Sequence, residues 1–208
     1  MSTRVRLGLA ALCLVGAAAL ALLATDTLRW PGAMSSGDVR YASAPEQSSL
    51  WRITGAFPFG AARGLLGLDD DIAYRTAVQS FWLGKPRALP FSDSNLFGLR
   101  AHAQQQLAAV VIHDRNAARS SAAANIVGVL GFANAVFDQP RAQLYLTNAA
   151  ESFRTAIRLD PGNEDAKYNL ELALARLQVA EQENQSNTGS SKGTRGASAG
   201  TGEPGTGY

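Results

Sequence analysis

The sequence is short of the residues on which most protein chemistry depends. In 208 residues it has one cysteine and two histidines. A lone thiol, Cys13, excludes an intrachain disulfide and a thiolate metal site. Cys13 also follows Leu12 where lipoprotein acylation wants a small residue, and it lies inside an apolar run. His102 and His113 would share a helix face but stand about 16 Å apart along its axis, too far for one metal ion. No serine occupies a G-x-S-x-G elbow. Gly84-Lys85 lacks the upstream glycine and the following hydroxyl residue of a P-loop. Carboxylates are scattered at helix starts, with no pair poised for acid–base work. The chain is therefore not expected to be an enzyme, and no cofactor, metal or small-molecule substrate is expected.

Charge of one sign is lacking too. The net charge is +2, and its excess sits at the N-terminus. With Arg4, Arg6, Arg29 and Asp26 set aside, sixteen basic and sixteen acidic residues remain beyond Trp30. Nucleic acid is excluded as a partner on this ground, because binding phosphates needs a clustered basic face. Two-residue alternation with hairpin turns is absent as well, so strands are not expected.

What is present begins with an apolar segment. Arg4 and Arg6 precede Leu7 to Ala24, 18 uncharged residues made mostly of leucine and alanine. As a helix the run is about 27 Å long, enough to cross a thin hydrocarbon core. A secretory signal would end in a small-x-small cleavage site. Leu22-Leu23-Ala24 puts leucine where a small residue belongs, and Ala19-Leu20-Ala21 would cut inside the run. The expectation is an uncleaved single-pass anchor over residues 1–30, in the cell membrane. The two early arginines favour a cytoplasmic N-terminus, leaving the bulk of the chain extracytoplasmic. Trp30, beside Arg29, sits where an interfacial aromatic belongs.

Residues 31–68 read as an irregular linker. Pro31-Gly32 and Ser35-Ser36-Gly37 punctuate it. Tyr41, Trp51, Ile53, Phe57, Phe59, Leu65 and Leu66 follow no clear period and are expected to pack on later helices. Asp69-Asp70-Asp71 comes next. Adjacent aspartates do not reproduce the alternating ligands of a calcium loop, whereas aspartate at a helix N-terminus caps it and complements its dipole. Capping is the expectation.

A helical domain over 69–183 follows, so the fold class is all-α. The helix after the aspartates should stop near Gly84, with Pro86 and Pro90 forbidding continuation. Ser92-Asp93-Ser94 offers caps for a helix over about 95–112, whose apolar residues recur at three- and four-residue steps. Further helices are expected over about 117–137, 141–159 and 164–183. From Asn184 onward Gly, Ser and Thr make up 15 of 25 residues and Leu, Ile, Val, Met, Phe and Trp are missing. Residues 184–208 are therefore expected to form a disordered tail.

Ala149, Phe153, Ala156 and Pro161 match the second half of a tetratricopeptide repeat, and Val127-Gly128 stands in for the Leu-Gly of its first helix. Leu170 agrees with the leucine of the following repeat, while Lys167, Glu171 and Leu174 depart from its other signature positions. The region over about 120–176 thus resembles this repeat family, with a hinge about nine residues longer than in a standard repeat of about 34. The resemblance implies a short helical solenoid of about five helices that holds a partner protein. Its concave side would offer Asn125, Val129, Asp165, Tyr168, Asn169, Leu172 and Arg176. Because a short array leaves an end uncovered, a stripe through Leu170, Leu174 and Leu177 is expected to carry a cap or a partner. The single anchor with a short repeat region resembles the small partners of bacterial von Willebrand factor A-domain and MoxR-type ATPase systems. A cell-envelope enzyme subunit, or a secreted helical module released by cleavage, remain the alternatives.

Overall fold

The computed structural model describes residues 3–52, 55, 60–85 and 94–192. Among these the chain is all-α, without a strand. Its helices are α1 (Thr3–Ser43), α2 (Ala61–Leu65), α3 (Leu68–Gly84), α4 (Ser94–His113), α5 (Ala117–Phe137), α6 (Ala142–Leu159) and α7 (Glu164–Lys192), with a 3-10 turn at Gln139–Arg141 between α5 and α6. Ile53, Phe57, Phe59, Pro86, Pro90, the Ser92-Asp93 cap and the tail from residue 193 lie outside the described residues.

The stack α3 to α7 follows the apolar periodicity of the sequence. Each helix packs on the next, and α3 touches α5 as α5 touches α7. The odd helices therefore form one layer and α4 with α6 the other. Small side chains let the helices come close. Ala77, Ala103, Leu107, Val110, Ala123 and Leu130 form the core where α3, α4 and α5 meet. Ala149, Ala150, Phe153 and Ala173 form a second core between α6 and α7, against Val129 and Phe132 of α5. Helix α5 is long and apolar enough to cross a membrane. Here that apolarity serves packing, since α5 is bordered by α3, α4, α6 and α7.

The helix ends follow from single residues. Asn116 caps α5, its Oδ1 accepting from Arg119 N–H at 3.0 Å. After Leu159, Pro161 forbids continuation and Gly162 N–H donates to Asp160 Oδ1 at 2.9 Å. Asn163 then caps α7, its Oδ1 accepting from Ala166 N–H at 3.0 Å.

Three boundaries differ from expectation. Helix α1 does not end at residue 30 but runs on through Pro31 to Ser43, so the irregular linker does not begin at residue 31. The cause is tertiary. Trp30, Met34 and Gly37 are buried on one face of α1, where Trp30 and Met34 cluster with Leu50, Trp51 and Ala62. Pro31 and Gly32 lie on the exposed side, where the missing N–H disturbs no packing. Second, α3 starts at Leu68, which packs on that same cluster. The aspartates thus fall in its first turn, and its N-cap is Gly67, with no side-chain cap. Their role at the dipole stands; their capping role does not. Third, the α7 backbone continues to Lys192, nine residues past Glu183, since extending an existing helix adds one hydrogen bond per residue ordered. The α5–α6 boundary is as expected: the residues that lengthen the hinge of the repeat are helical, and only Asp138 and the 3-10 turn join α5 to α6.

Candidate partner-binding surface

The surface is built on the crossing of α5 and α6. Gly128 is required there by close approach: a Cβ on it would lie 2.6 Å from Phe153 Cδ1. The Phe153 ring rests on the bare α5 backbone and is fully buried. Ala149 faces Gly131, and a Cβ on that glycine would stand 3.3 Å from the alanine's own. Ala156 is fully buried with Ala124 and Ala166. Val127 packs on the core of α3–α5, Leu170 on the Phe153 core, and Pro161 sits exposed in the α6–α7 turn.

Polar ties lock α7 onto this pair. Ser121 Oγ donates to the Ala156 carbonyl at 2.7 Å in the interior. Asn163 Nδ2 donates to Ser121 Oγ at 2.8 Å. The residue that caps α7 thereby also fixes it to α5 and α6. Further along, Asn169 Nδ2 donates to Asn125 Oδ1 at 2.9 Å.

The seven residues expected on the concave side divide into two groups. Asn125 and Asn169 bond to each other, and Val129 packs on the Phe153 core. These three join α5 to α7. Asp165, Tyr168, Leu172 and Arg176 are exposed along one side of α7, at three- and four-residue steps that keep them on one face. Tyr168 is 67% exposed. Arg176 also lines a groove of about 290 Å³ with Phe132, Val136, Leu146 and Val179. Two of the three leucines of the Leu170–Leu174–Leu177 stripe are covered within the stack: Leu170 and Leu177 lie against the Phe153 core, and only Leu174 is exposed. Leu174 shares the open apolar surface of α7 with Tyr168, Leu172 and Val179.

A second region, not foreseen from the sequence, fastens α1 to the stack. A Cβ on Gly37 would lie 2.8 Å from the Leu50 carbonyl and 2.5 Å from Trp51 Cδ1, so only glycine admits this contact. Trp51 Nε1–H donates to Asp38 Oδ1 at 2.9 Å. Arg40 Nη2 donates to the Leu50 carbonyl at 2.8 Å, and Gln79 Nε2 donates to the Pro45 and Gln47 carbonyls at 2.7 Å each. Asp38 also pairs with Arg75. Arg75 holds Asp71 at 3.1 Å, and Asp71 lies 3.9 Å from Arg119. Arg119 grips Asp114 with two bonds of 2.7 and 2.9 Å. An alternating chain of charges thus runs from α1 through α3 to the α4–α5 turn. Burial pushes the Asp114 carboxyl up, but hydrogen bonds from Arg119 and Asn116 outweigh it and hold the group below its ordinary value.

The aspartate triplet is spent in the same way. Asp69 pairs with Arg63 at 2.5 Å, Asp70 with Arg115 at 3.7 Å, and Asp71 with Arg75 and Arg119. Among the described residues no three His, Cys, Asp or Glu side chains converge as metal ligands do. His102 and His113 are exposed on α4, and His102 Nε2 lies 3.0 Å from Gln106 Nε2. Arg100 is buried, its Nε donating to the Gly84 carbonyl at 3.1 Å. Its cation meets the carbonyl end of α3, where the helix dipole favours it.

Compared with known proteins, the chain matches no family model, no curated protein and no solved structure.

Proposed function

We propose that this protein is a membrane-anchored scaffold of tetratricopeptide type that holds a partner protein outside the cytoplasm. The observation that carries the reading is the α5–α6 crossing. Phe153 on Gly128, with Ala149 and Ala156 buried beside it, fills the bulky and small positions that the repeat pattern requires. The anchor half of the reading rests on α1. It is long and apolar enough to span a membrane, and its most apolar window is not buried by the rest of the chain. Arg4 and Arg6 favour a cytoplasmic N-terminus.

The partner's contact surface is the exposed side of α7, with Tyr168 and Leu172 as apolar anchors and Asp165 and Arg176 as charges of both signs. Interfaces are enriched in tyrosine and arginine at their centres. A role as accessory of a von Willebrand factor A-domain or MoxR-type ATPase system is the specific form of this proposal. It rests on the likeness in organisation alone.

Tagged protein retrieved from detergent-solubilised membranes should bring down a stoichiometric partner. A Tyr168→Ala, Leu172→Asp double variant should lose that partner while keeping its helicity. Retention of the same protein by the variant, or no stoichiometric protein at all, would contradict the scaffold reading.

A further inference from the structure

We propose that the helical stack is seated directly on the membrane surface, with the α2 turn and the adjoining flank of α1 lying in the lipid headgroup layer. The inference rests on the anchor reading above and adds the contact between the folded domain and the phospholipid surface.

Register along α1 carries it. The apolar run ends at Ala24, yet cover by the rest of the chain begins almost at once. Asp26 is 3% exposed and Trp30 is 5% exposed. Leu23, still inside the run, packs against the cluster of Trp30, Met34, Leu50, Trp51 and Ala62. At about 1.5 Å per residue, Asp26 stands about 3 Å and Trp30 about 9 Å beyond the end of the run. The headgroup layer on each side of the hydrocarbon core is about 5–8 Å deep. Whatever covers Asp26 therefore stands within that layer and cannot hang above it. A carboxylate this close to hydrocarbon also needs protein around it, which the seat supplies.

The open surface next to this seat is apolar. Ala62 of α2 belongs to the buried cluster, so α2 lies at the level of Trp30. Beside it Leu65 is 70% exposed and Leu66 42%. Leu28, 81% exposed on the side of α1 opposite Trp30, continues the lipid-facing surface of α1, where Leu20 and Leu22 are exposed too. Arg52 and Arg63 line a cavity with the buried Trp30 and Trp51. Exposed leucines with arginines on the neighbouring elements suit the membrane interface, where apolar groups insert and cations meet phosphates. The connection is stiff as well. Helix α1 is unbroken from Thr3 to Ser43 and is fixed to α3 through Asp38 and Arg75, so the domain keeps one pose over the bilayer.

The test uses the full chain with Cys13→Ala, reconstituted in nanodiscs of mixed zwitterionic and anionic phospholipid. Single nitroxide labels are placed through Leu14→Cys, Leu65→Cys, Leu66→Cys and, on α6, Leu144→Cys, which is 56% exposed. Helicity is checked for each, and collision with an aqueous nickel chelate is compared with collision with oxygen. The labels at 65 and 66 should collide with nickel several-fold less than the label at 144 and more with oxygen, while the label at 14 reports hydrocarbon. If 65 and 66 are as open to nickel as 144 while 14 lies in hydrocarbon, the seating is wrong and the anchor stands. If 14 itself is open to nickel, the anchor reading fails and the seating falls with it.

Discussion

Removing the Phe153 ring would leave a cavity against Gly128 that the α5 backbone cannot close. Phe153→Ala should therefore cost about 3–5 kcal/mol, read from the urea midpoint. Gly128→Leu attacks the same contact from the other side. It has no room even for a Cβ and should cost at least as much as ordinary overpacking, about 1–3 kcal/mol. A near-neutral result for both would mean that this crossing does not hold the stack. Asp114 belongs to the same scale. Its folded-state pKa is depressed by Arg119 and Asn116, so its contribution is complete above the ordinary carboxylate range and fades as pH falls through the folded value. Asp114→Asn should lower stability at pH 7 and flatten the loss of stability on acidification to about pH 3. Urea midpoints at the two pH values check this, and an unchanged acid slope would remove Asp114 from the account.

Among the elements, α3 to α7 were legible because their signals are local. Apolar steps of three and four residues and the break at Pro161 act within a turn or two of themselves. The second half of α1 was not legible, because Pro31, Gly32 and Gly37 are breakers by local rules. What keeps residues 31–43 helical is distant in sequence: Trp51 lies against Gly37, and Arg75 pairs with Asp38. The aspartate triplet misled for the same reason. Its place at a helix start was visible, and Arg63 and Arg75 are close in sequence, but Arg115 and Arg119 become its neighbours only once α3, α4 and α5 are stacked. The candidate surface was half legible. Repeat spacing singled out Asp165, Tyr168, Leu172 and Arg176, which are exposed on one side of α7, but it did not reveal that Asn125 and Asn169 are used on each other. The seat of α1 gives the prediction at this scale. Gly37→Val should drive Trp51 off α1 and release the segment after Ser43, so trypsin should cut after Arg52 several-fold faster in folded protein. Equal cutting of wild type and variant would show that the contact is dispensable.

At the scale of the whole molecule, the anchor and the stack are one piece of structure. Of the two helices apolar enough to span a membrane, α1 is the one that Trp51, Ala62 and Arg75 hold. The face proposed for a partner lies on α7, at the other end of the stack from α1. The proposed scaffold would present its partner at a fixed height and orientation over the bilayer, which a flexible tether would not do. Everything in that account requires α1 to remain whole. Intact mass of the protein purified from membranes tests this most directly. The full chain of 21.9 kDa is the expected result; a product shorter by about 2 kDa, as removal of a signal peptide would leave, would contradict the anchored scaffold and favour a released helical module.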